Sequence, residues 1–537
     1  MSAQSFDYIV VGSGSSGAAL AARLTENGQH SVLLLESGED DSWIWLRIPA
    51  GVAYVVRGQR SIWRFGTEPD EKINNRSIFW PRGKVLGGSS GINGMIWVHG
   101  DPQEYDKWRD DLGLQGWGYD DLKTYFHKVE SYADGAHGTR GTDGPVKITR
   151  YGPVHPMMDA YLSACEQAGI PRNPDYNSGQ YEGVGILQFN VHNGLRCSTR
   201  EAYLRPAAKR QNLQIRTGAH ATRVLFTDKV ASGIEYLQNG QLQTATAKRE
   251  VILCAGAVQS PQLLELSGIG NPDLLKAQGV DVVHALPAVG ENLRDHLYSA
   301  LSYECRGIET LNQLYPSLYG KFRMAARLML ARNGLMSCCG QIAHALVRTN
   351  PDDPQPDAKI QLHWLSSPAS RDPKRYVLDD YPGVTIGSFP LRPKSTGSVH
   401  IQSPFAMSAP KIQANYLDHK DDRRTTSAAL QMARKILSQP ALAPWVVQQT
   451  RPGKDQTSDE QLLQWARQNG NTSYHPIGTC RMGSDAASVV DAELRVRGVQ
   501  GLRVADCSIF PTMCSSNTNA PAMAVGEKAA DLILSGH

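Results

Sequence analysis

The sequence predicts an α/β fold, α+β overall, with one lobe built on a parallel sheet and a second lobe built on an antiparallel sheet. An apolar, β-rich run at residues 8–11 ends in a glycine-rich turn, and an alanine- and leucine-rich helical stretch follows it. Similar glycine-flanked runs recur at 32–36, 251–254 and 502–505, so distant parts of the chain would form one sheet. Residues 301–464 are richer in proline and aromatic residues, and "GSVHIQS" and "APKIQANYL" alternate as antiparallel strands do.

Length and charge narrow the class of protein. A chain of 537 residues exceeds the usual size of one hydrophobic core, which predicts two or more lobes. Its 41% hydrophobic and 20% charged residues are typical of a globular protein. A net charge of +3 without a basic stripe argues against a nucleic-acid partner. No apolar run approaches the ~20 residues of a transmembrane helix.

Cysteine usage and the N-terminus point to a reducing compartment. The nine cysteines are irregularly spaced and include the adjacent pair Cys338 and Cys339, which does not fit a disulfide framework. The N-terminus lacks the charged and apolar regions of a signal peptide. We therefore expect a cytoplasmic protein. No HExxH, CxxC or EF-hand pattern is present, so no catalytic metal is expected.

The first strand leads into a G-x-G-x-x-G motif at residues 12–17. Gly12 would form the tight turn, Gly14 would let the backbone approach a pyrophosphate, and Gly17 would let helix pack on strand. The second strand ends at Glu36, 19 residues after Gly17, where an acid can bind a ribose 2′-hydroxyl. Strand, turn, helix, strand and acid in register predict a dinucleotide site. At this point NAD and FAD both remain open.

A second glycine-rich loop, "WPRGKVLGGSSGINGMIWVHG", spans residues 80–100. It offers Arg82 and Lys84 for charge, Asn93 for hydrogen bonding, and many backbone N–H groups. It also contains G-x-S-x-G around Ser89, the nucleophile elbow of serine hydrolases. That motif needs a strand before the serine and a helix after it. Here "KVL" is too short for such a strand and the following residues are not clearly helical, so the hydrolase is a minor alternative.

Four blocks in this order resemble the glucose-methanol-choline (GMC) flavin oxidoreductases. They are "PRGKVLGGSSGINGM", "GAVQSPQLLELSGIG" (256–270), "SYHPIGTCRMG" and "SSNTNAPAMAVGEKAADLI". The resemblance runs from residue 6 to residue 534 and is nearest to the bacterial alcohol and choline dehydrogenase-like branch. It implies a Rossmann-like FAD-binding lobe at 1–155, 190–300 and 465–537. The substrate-binding lobe would then consist of 156–189 and 301–464.

The resemblance also implies which residues contact FAD. Ser15 and Ser16 would approach phosphate, Ala221 in "HATRV" would meet adenine, and Asp506 would approach the phosphates or ribityl chain. Pro521 suits the first turn of a helix over 522–534, whose N-terminus would face the flavin pyrimidine ring. The complete predicted cofactor set is Gly12, Gly14, Ser15, Ser16, Gly17, Glu36, Trp63, Arg82, Val85, Gly88, Asn93, Gly94, Met95, Ala221, Gly256, Tyr474, Asp506, Asn519, Pro521 and Met523.

The resemblance implies two catalytic residues, His475 in "HPIGT" and Asn519 in the last block. Oxidation of an alcohol removes the hydroxyl proton and transfers a hydride from the same carbon to flavin N5. A histidine can take that proton because its pKa lies near the working pH. An amide can hydrogen-bond the substrate oxygen and hold its geometry. Asn517, in the same loop, is the alternative to Asn519.

The expected activity is FAD-dependent oxidation of a primary alcohol to an aldehyde. Some family members bind FAD through a histidine where this chain has Ile92, so non-covalent FAD is expected. The electron acceptor would be O2, a quinone or another acceptor, while the alcohol and the oligomeric state stay open. A non-redox flavoprotein or lyase of the same fold is the second alternative.

A basic amphipathic stretch, residues 321–334, has two interpretations. It can touch a membrane surface, which would place the protein at the periphery of the inner membrane, or border the site entrance. The favoured interpretation is a helix of the substrate lobe that packs Phe322, Met324 and Met329.

Overall fold

Two sheets of seven strands organise the chain in the computed structural model, which describes residues 4–136, 138, 140–150, 156–368 and 377–536. The strands of these sheets are, in chain order, Gln4–Val11 (β1), Val32–Leu35 (β2), Gly183–Ile186 (β3), Leu213–Arg216 (β4), Ala219–Thr227 (β5), Val230–Gln238 (β6), Gln241–Leu253 (β7), Leu297–Cys305 (β8), Gln341–Val347 (β9), Ala358–His363 (β10), Gly383–Pro390 (β11), Val446–Arg451 (β12), Asn471–Thr472 (β13) and Leu502–Val504 (β14).

The first sheet has the order β4-β2-β1-β7-β6-β5, with β14 also paired to β7. β4, β2, β1, β7 and β14 pair in parallel, whereas β7, β6 and β5 pair antiparallel. The residues of β2 are all buried, as expected for a parallel strand covered on both faces. The four predicted strands therefore do form one sheet from distant parts of the chain.

The second sheet is antiparallel, in the order β12-β8-β11-β10-β9-β3, with β13 paired to β8. Alternate residues face opposite sides of a strand. On β10, Ala358, Ile360 and Leu362 enter the hydrophobic core of this lobe, so Lys359, Gln361 and His363 take the opposite face. The predicted antiparallel pair in "GSVHIQS" and "APKIQANYL" forms a separate ribbon, Ser398–His400 with Lys411–Gln413.

Nine helices of nine or more residues occur in the described part of the chain. They are Ser15–Leu24 (α1), Pro102–Asp110 (α2), Tyr119–Val129 (α3), Pro156–Gln167 (α4), Gly256–Leu266 (α5), Leu318–Ala331 (α6), Lys420–Leu437 (α7), Asp459–Asn469 (α8) and Asn519–Leu534 (α9). α1 and α9 pack closely, because a Cβ at Gly526 would collide with the Ser16 carbonyl. α7 covers the second sheet with an apolar face that includes Leu430 and Ile436.

Shorter elements connect the two sheets. Helical turns lie at Ile44–Arg47, Val52–Val55, Arg205–Ala207, Pro272–Ala277 and Leu311–Leu314, and a π-helical turn lies at Arg200–Leu204. Small strands lie at Ile62–Gly66, Phe79–Gly83, Glu130–Tyr132, Val146–Arg150, Gln188–Phe189, Val191–His192, Leu195–Arg196, Ile269–Gly270 and His284–Ala285. β8 begins at Leu297, before the predicted lobe limit at 300, and β13 joins the second sheet from within 465–537. The predicted limit at 155 lies outside the described residues.

The prediction that Phe322 and Met329 pack into the protein is wrong. Both lie on α6, and their side chains are 71% and 70% exposed. The helix uses Leu328 and Gly320 for its buried contacts, so its amphipathic pattern directs most of its large apolar side chains outward. No helix in the described part of the chain is long and apolar enough to cross a membrane.

Candidate active site

A cavity of about 450 Å³ lies where the carboxyl ends of the parallel strands meet the second sheet. It brings together most of the predicted cofactor residues, which come from both glycine-rich loops and from the C-terminal blocks. Those that line it are Gly12, Gly14, Ser15, Ser16, Glu36, Trp63, Arg82, Gly88, Asn93, Gly94, Met95, Ala221, Gly256, Tyr474, Asp506 and Asn519. His475 lines it as well.

Four predicted cofactor residues do not line the cavity. Gly17 serves packing, as its motif position suggests, because a Cβ there would collide with the Gly12 carbonyl. Val85 packs with Ile92 in a small apolar cluster, and Met523 is buried in the main core. Pro521 is buried within the first turn of α9. The last three stay predictions as cofactor residues, and their burial shows that a residue of a matched motif can support a cavity through packing without lining it.

The first glycine-rich turn is shaped for close approach of a ligand. Gly12 has a φ of +99°, a backbone conformation that favours glycine. A Cβ at Gly14 would meet nothing within 4 Å, so this position borders open space at the N-terminus of α1. Backbone N–H groups at such a helix N-terminus are suited to a phosphate.

The acid after the second strand is held in place by the same turn. Glu36 accepts hydrogen bonds from Ser13 N at 3.0 Å, Ser13 Oγ at 2.6 Å and Gly38 N at 2.8 Å. Burial raises the pKa of Glu36, which these bonds offset. A carboxylate has about four acceptor sites, so one remains for a ribose hydroxyl.

An amide and a second carboxylate complete a site that fits a dinucleotide. Asn519 Oδ1 accepts from Ser15 Oγ at 2.8 Å, while its buried Nδ2 has no hydrogen-bond partner within the described residues. Asp506 accepts from Gly256 N and Ser260 Oγ at 2.8 and 2.6 Å, which fixes it beside the end of β7. A buried donor without a partner costs free energy, so Asn519 Nδ2 points to a ligand acceptor.

His475 belongs to a line of hydrogen bonds that fixes its tautomer. His296 Nε2 lies 2.9 Å from the Leu391 carbonyl, which can only accept, so this nitrogen carries the hydrogen. Its Nδ1 is then an acceptor, and His475 Nδ1, 2.9 Å away, donates to it. His475 Nε2 is thereby left as an acceptor, and Asn517 Nδ2 donates to it at 2.9 Å.

Lys359 is the last residue in this line of hydrogen bonds, beyond Asn517. Its Nζ donates to Asn517 Oδ1 at 2.8 Å and to Ser516 Oγ at 3.3 Å, which orients the Asn517 amide with its Nδ2 toward His475. Lys359 is fully buried on β10, and burial lowers its pKa to about 7. Burial likewise lowers the pKa of His296 to about 3.

His475 is held neutral by its surroundings. Burial lowers its pKa well below the usual value, and the nearby His296, Lys359 and Arg82 lower it further. Its backbone N–H donates to Asp295 Oδ1 at 2.8 Å, which anchors the loop. Burial raises the pKa of Asp295 to about 6.

The side chain that contacts His475 is that of Asn517, the alternative in the sequence analysis, and not that of Asn519. Both asparagines line the cavity. Asn519 starts α9 and turns toward Ser15 on α1, whereas Asn517 lies in the preceding loop and reaches His475. Sequence matching cannot separate two asparagines two residues apart, because their side chains diverge only with the path of the loop.

His296 and Lys359 were missed by the sequence analysis. His296 lies in "ENLRDHLYS", where no spacing marks it as special. Lys359 lies in "AKIQLH", which alternates apolar and polar residues. That alternation, in a strand that proves to be buried on both faces, is the signal that could have identified a polar inner face.

The second sheet lines the rest of the cavity with its polar face. Tyr298, Gln341, Gln361, His363 and Phe389 come from β8, β9, β10 and β11 and form what we call the substrate chamber. Tyr298 Oη and His363 Nε2 are 2.9 Å apart. Tyr298 lies across β11, because a Cβ at Gly387 would collide with its ring.

The second glycine-rich loop does not form a nucleophile elbow. Ser89 lies in a 3₁₀ turn, Gly88–Gly91, and its Oγ accepts from Gly83 N at 3.1 Å. The strand before it ends at Gly83, six residues earlier, and no α-helix follows directly. The strand–serine–helix arrangement of a serine hydrolase is therefore not formed here.

Comparison with known proteins shows to which family the chain belongs. The sequence profile of GMC oxidoreductases matches residues 6–298 with its N-terminal part and residues 393–526 with its C-terminal part. Curated relatives named "Oxygen-dependent choline dehydrogenase" include one from Photobacterium profundum, 40% identical over 98% of this chain and 93% of its own. One from Escherichia coli is 40% identical over 98% of this chain and 95% of its own.

Solved structures share the whole fold. Pyridoxine 4-oxidase from Mesorbium loti superposes with a TM-score of 0.89 and 30% identity over 99% of both chains. A formate oxidase superposes with a TM-score of 0.92, but its 22% identity supports the fold alone. The cavity fits FAD, the cofactor of these flavoenzymes. The chain therefore belongs to the GMC oxidoreductase family and is an FAD-dependent enzyme that oxidises alcohols.

Proposed function

We propose that the protein oxidises a primary alcohol to an aldehyde, with His475 as the base and Asn517 as the donor that holds the substrate oxygen. The observation that carries this proposal is the unprotonated Nε2 of His475, which faces the cavity beside Asn517 Nδ2 at 2.9 Å. Bound FAD supplies the acceptor for the hydride that leaves the carbinol carbon.

His475 and Asn517 would have different roles at the substrate oxygen. The hydroxyl of the alcohol would replace Asn517 Nδ2 as the donor to His475 Nε2, and the single lone pair of this nitrogen would then take the hydroxyl proton. Asn517 Nδ2 has a second hydrogen that can bond the same oxygen and keep it in place as the proton leaves. Once protonated, His475 would keep its Nδ1–H on His296, so the ring need not turn during the reaction.

The test removes the base and leaves the cofactor site intact. In His475→Ala, we expect flavin reduction by a primary alcohol to slow by roughly 10²–10⁴-fold. The measurement is the anaerobic loss of flavin absorbance in a stopped-flow instrument, with FAD content determined for each variant. His475→Gln is the matched control, because glutamine keeps a hydrogen-bonding group there but provides no base. Unchanged reduction in both variants would remove His475 from the mechanism.

We propose O2 or a quinone as the electron acceptor of the reduced enzyme. The curated relatives that this chain resembles carry the description "oxygen-dependent", which favours a test with O2. Admission of air after anaerobic reduction would restore the flavin spectrum within a catalytic turnover if O2 is the acceptor. Slow reoxidation in air combined with fast reoxidation by a soluble quinone would support the quinone.

We also propose that α6 contacts an anionic membrane surface. Five of its large apolar side chains are mostly exposed: Leu318 (84%), Tyr319 (71%), Phe322 (71%), Met329 (70%) and Leu330 (87%). Four basic residues, Lys321, Arg323, Arg327 and Arg332, lie among them, and the stretch 318–332 has no acidic residue. Exposed apolar and basic side chains on one helix suit the interface of an anionic bilayer.

The position of α6 relates this surface to the cavity. Tyr315, three residues before α6, has its Oη 2.8 Å from Tyr54 Oη. Tyr54 lies in the short helix Val52–Val55. Val52 in this helix and Val56 directly after it line the cavity. A membrane contact through α6 would therefore lie near an element that borders the site, which suits an acceptor dissolved in the bilayer.

A reducing, cytoplasmic location is part of the same proposal. All nine cysteines are free thiols, and seven of them are buried. Burial raises the pKa of Cys254 well above its usual value and that of Cys305 to about 12, so these thiols stay protonated and unreactive at neutral pH.

A further inference from the structure

The carboxylates of the cavity are not available to a substrate. Among the described residues that line it, only Glu36 and Asp506 are acidic. Both lie at strand ends of the first sheet, and each already accepts three hydrogen bonds from the protein. Asp295, behind His475, is occupied by Thr472, Tyr416 and the His475 backbone and does not line the cavity. Within the described residues, the substrate chamber therefore offers no anion to a cationic substrate.

The aromatic and basic groups of the chamber also disfavour a cation. One face of Phe389 is covered by the ring of His296, with centroids 4.4 Å apart and an angle of 27°. Lys359 Nζ lies 5.9 Å from the Phe389 centroid, and it is buried directly behind Asn517. A quaternary ammonium group needs a carboxylate or a set of open aromatic faces to replace its hydration.

The substrate chamber presents uncharged hydrogen-bonding groups instead of a carboxylate. Gln341 Oε1 is buried and has no hydrogen-bond partner within the described part of the chain. Such an acceptor calls for a donor from a bound molecule. Tyr298 and His363 present a hydroxyl and an imidazole nitrogen in the same chamber. Since Gly387 gives the Tyr298 ring its position, this pair is fixed by the sheet itself.

We infer that the substrate is an uncharged alcohol that carries a second hydrogen-bonding group, a hydroxyl or an N–H, which reaches Gln341 Oε1 and the Tyr298–His363 pair. This inference rests on the proposed oxidation of a primary alcohol by His475. It excludes quaternary ammonium alcohols such as choline as good substrates, because their charged end has no donor and would find no anion here.

The first measurement compares alcohols in pairs by anaerobic reduction of the FAD-loaded enzyme. Choline is paired with 3,3-dimethylbutan-1-ol, which has the same shape and no charge. 4-(Hydroxymethyl)benzyl alcohol is paired with 4-methylbenzyl alcohol, which lacks the second hydroxyl. The second-order rate constant for flavin reduction should be at least about tenfold higher for the uncharged member of the first pair. It should be about tenfold higher for the hydroxyl-bearing member of the second pair.

Two variants test the residues to which we assign the preference for a second hydrogen-bonding group. In Gln341→Leu and in Tyr298→Phe, the ratio between the hydroxyl-bearing alcohol and its partner should fall from about ten toward one. Tyr298→Phe keeps the ring over Gly387, so the sheet is not disturbed. Gln448→Leu is the control, because Gln448 is an exposed residue of β12 in the same sheet and does not line the cavity. It should leave the ratio as it is in the unchanged protein.

The outcomes of these experiments distinguish failure of this inference from failure of the proposed function. Faster reduction by choline than by its uncharged analogue, with loss of that rate in His475→Ala, would overturn the inference and leave the proposed function in place. Equal rates within the second pair, unaffected by Gln341→Leu and Tyr298→Phe, would overturn the assigned residues. A flavin-loaded protein that none of the four alcohols reduces would overturn both.

Discussion

The tautomer of His475 is set by hydrogen bonds to both nitrogens of its ring. Four hydrogen bonds in line, from the Leu391 carbonyl through His296, His475 and Asn517 to Lys359, fix one tautomer and one amide orientation. At one end the line depends on a backbone carbonyl, which can only accept, and at the other on the Lys359 side chain, which can only donate when it is protonated. A free histidine would divide its time between two tautomers, so this arrangement keeps Nε2 ready to accept a proton.

The two asparagines give an immediate test of these roles. Asn517→Ala should cost roughly 2–4 kcal/mol of transition-state stabilisation, because it removes the donor beside His475 Nε2. Asn519→Ala should mainly weaken retention of FAD, because Asn519 faces Ser15 and leaves a buried Nδ2 for a ligand. Rates of flavin reduction and FAD dissociation constants measured for both variants distinguish them. A large loss of rate in FAD-saturated Asn519→Ala, with little in Asn517→Ala, would restore the original assignment.

Lys359 should set the acid limb of the pH profile. Its charge lowers the pKa of His475, so Lys359→Met should raise that pKa. Since only neutral His475 acts as a base, the variant should lose activity at a higher pH than the unchanged protein as the pH falls. The measurement is the pH dependence of the second-order rate of flavin reduction.

A second buried lysine provides the control for this experiment. Lys528 on α9 is also buried, and burial lowers its pKa as well, but it packs on Trp117 and does not line the cavity. Lys528→Met should therefore leave the acid limb unmoved. An acid limb that is the same in Lys359→Met would show that Lys359 only supports the structure of the loop around Asn517.

At the scale of elements, β10 and α6 both have an apolar face, but only the apolar face of β10 is buried. The alternation of β10 separates an apolar face, which contributes to the core, from the face that carries Lys359, Gln361 and His363. α6 has an apolar pattern that would fit a buried helix, but its apolar side chains are mostly exposed. Periodicity thus defines two faces of an element, whereas the neighbouring elements decide which face is covered.

The proposed membrane contact can be tested on α6 alone. Phe322→Glu should weaken binding of the FAD-loaded protein to vesicles that contain an anionic phospholipid, by roughly tenfold or more, since it places a charge where an exposed aromatic ring would enter the bilayer. Phe405→Glu is the matched control, because Phe405 is 73% exposed but lies outside α6. Sedimentation with vesicles at low and high salt measures the effect. Equal binding of both variants, or no binding of the unchanged protein, would contradict the proposal.

At the scale of the molecule, the cavity exists only because the lobes are interleaved. Glycine loops from residues 12–17 and 83–95, the α5 segment and parts of residues 471–522 meet at one edge of the first sheet. The second sheet closes the opposite side with residues from β8 to β11. A bound FAD would contact segments from both ends of the chain, so its binding is coupled to the folding of the whole protein.

FAD should therefore be dissociable and should stabilise the fold. Acid precipitation should release the yellow colour into the supernatant, since Ile92, the position of the covalent histidine in some family members, has no nucleophilic atom. At free FAD of about 100 times its Kd, the free energy of unfolding should rise by about 2.7 kcal/mol. Thermal unfolding of the apoprotein with increasing FAD measures this rise. Colour that stays in the pellet would indicate a covalent bond to another residue.

The sequence by itself determined the parallel strands, the glycine-rich turn after β1 and the family, because these depend on local spacing and on ordered motifs. It also predicted most of the residues that line the cavity, since the geometry of a glycine-rich loop is local. Only the tertiary structure decided that Asn517 and not Asn519 contacts His475, that His296 and Lys359 join the same hydrogen bonds, and that Phe322 is exposed. Those outcomes depend on contacts between residues far apart in the chain, such as His296 with His475, 179 positions away. No local pattern records such contacts, because they are made only when the two sheets meet around the cavity.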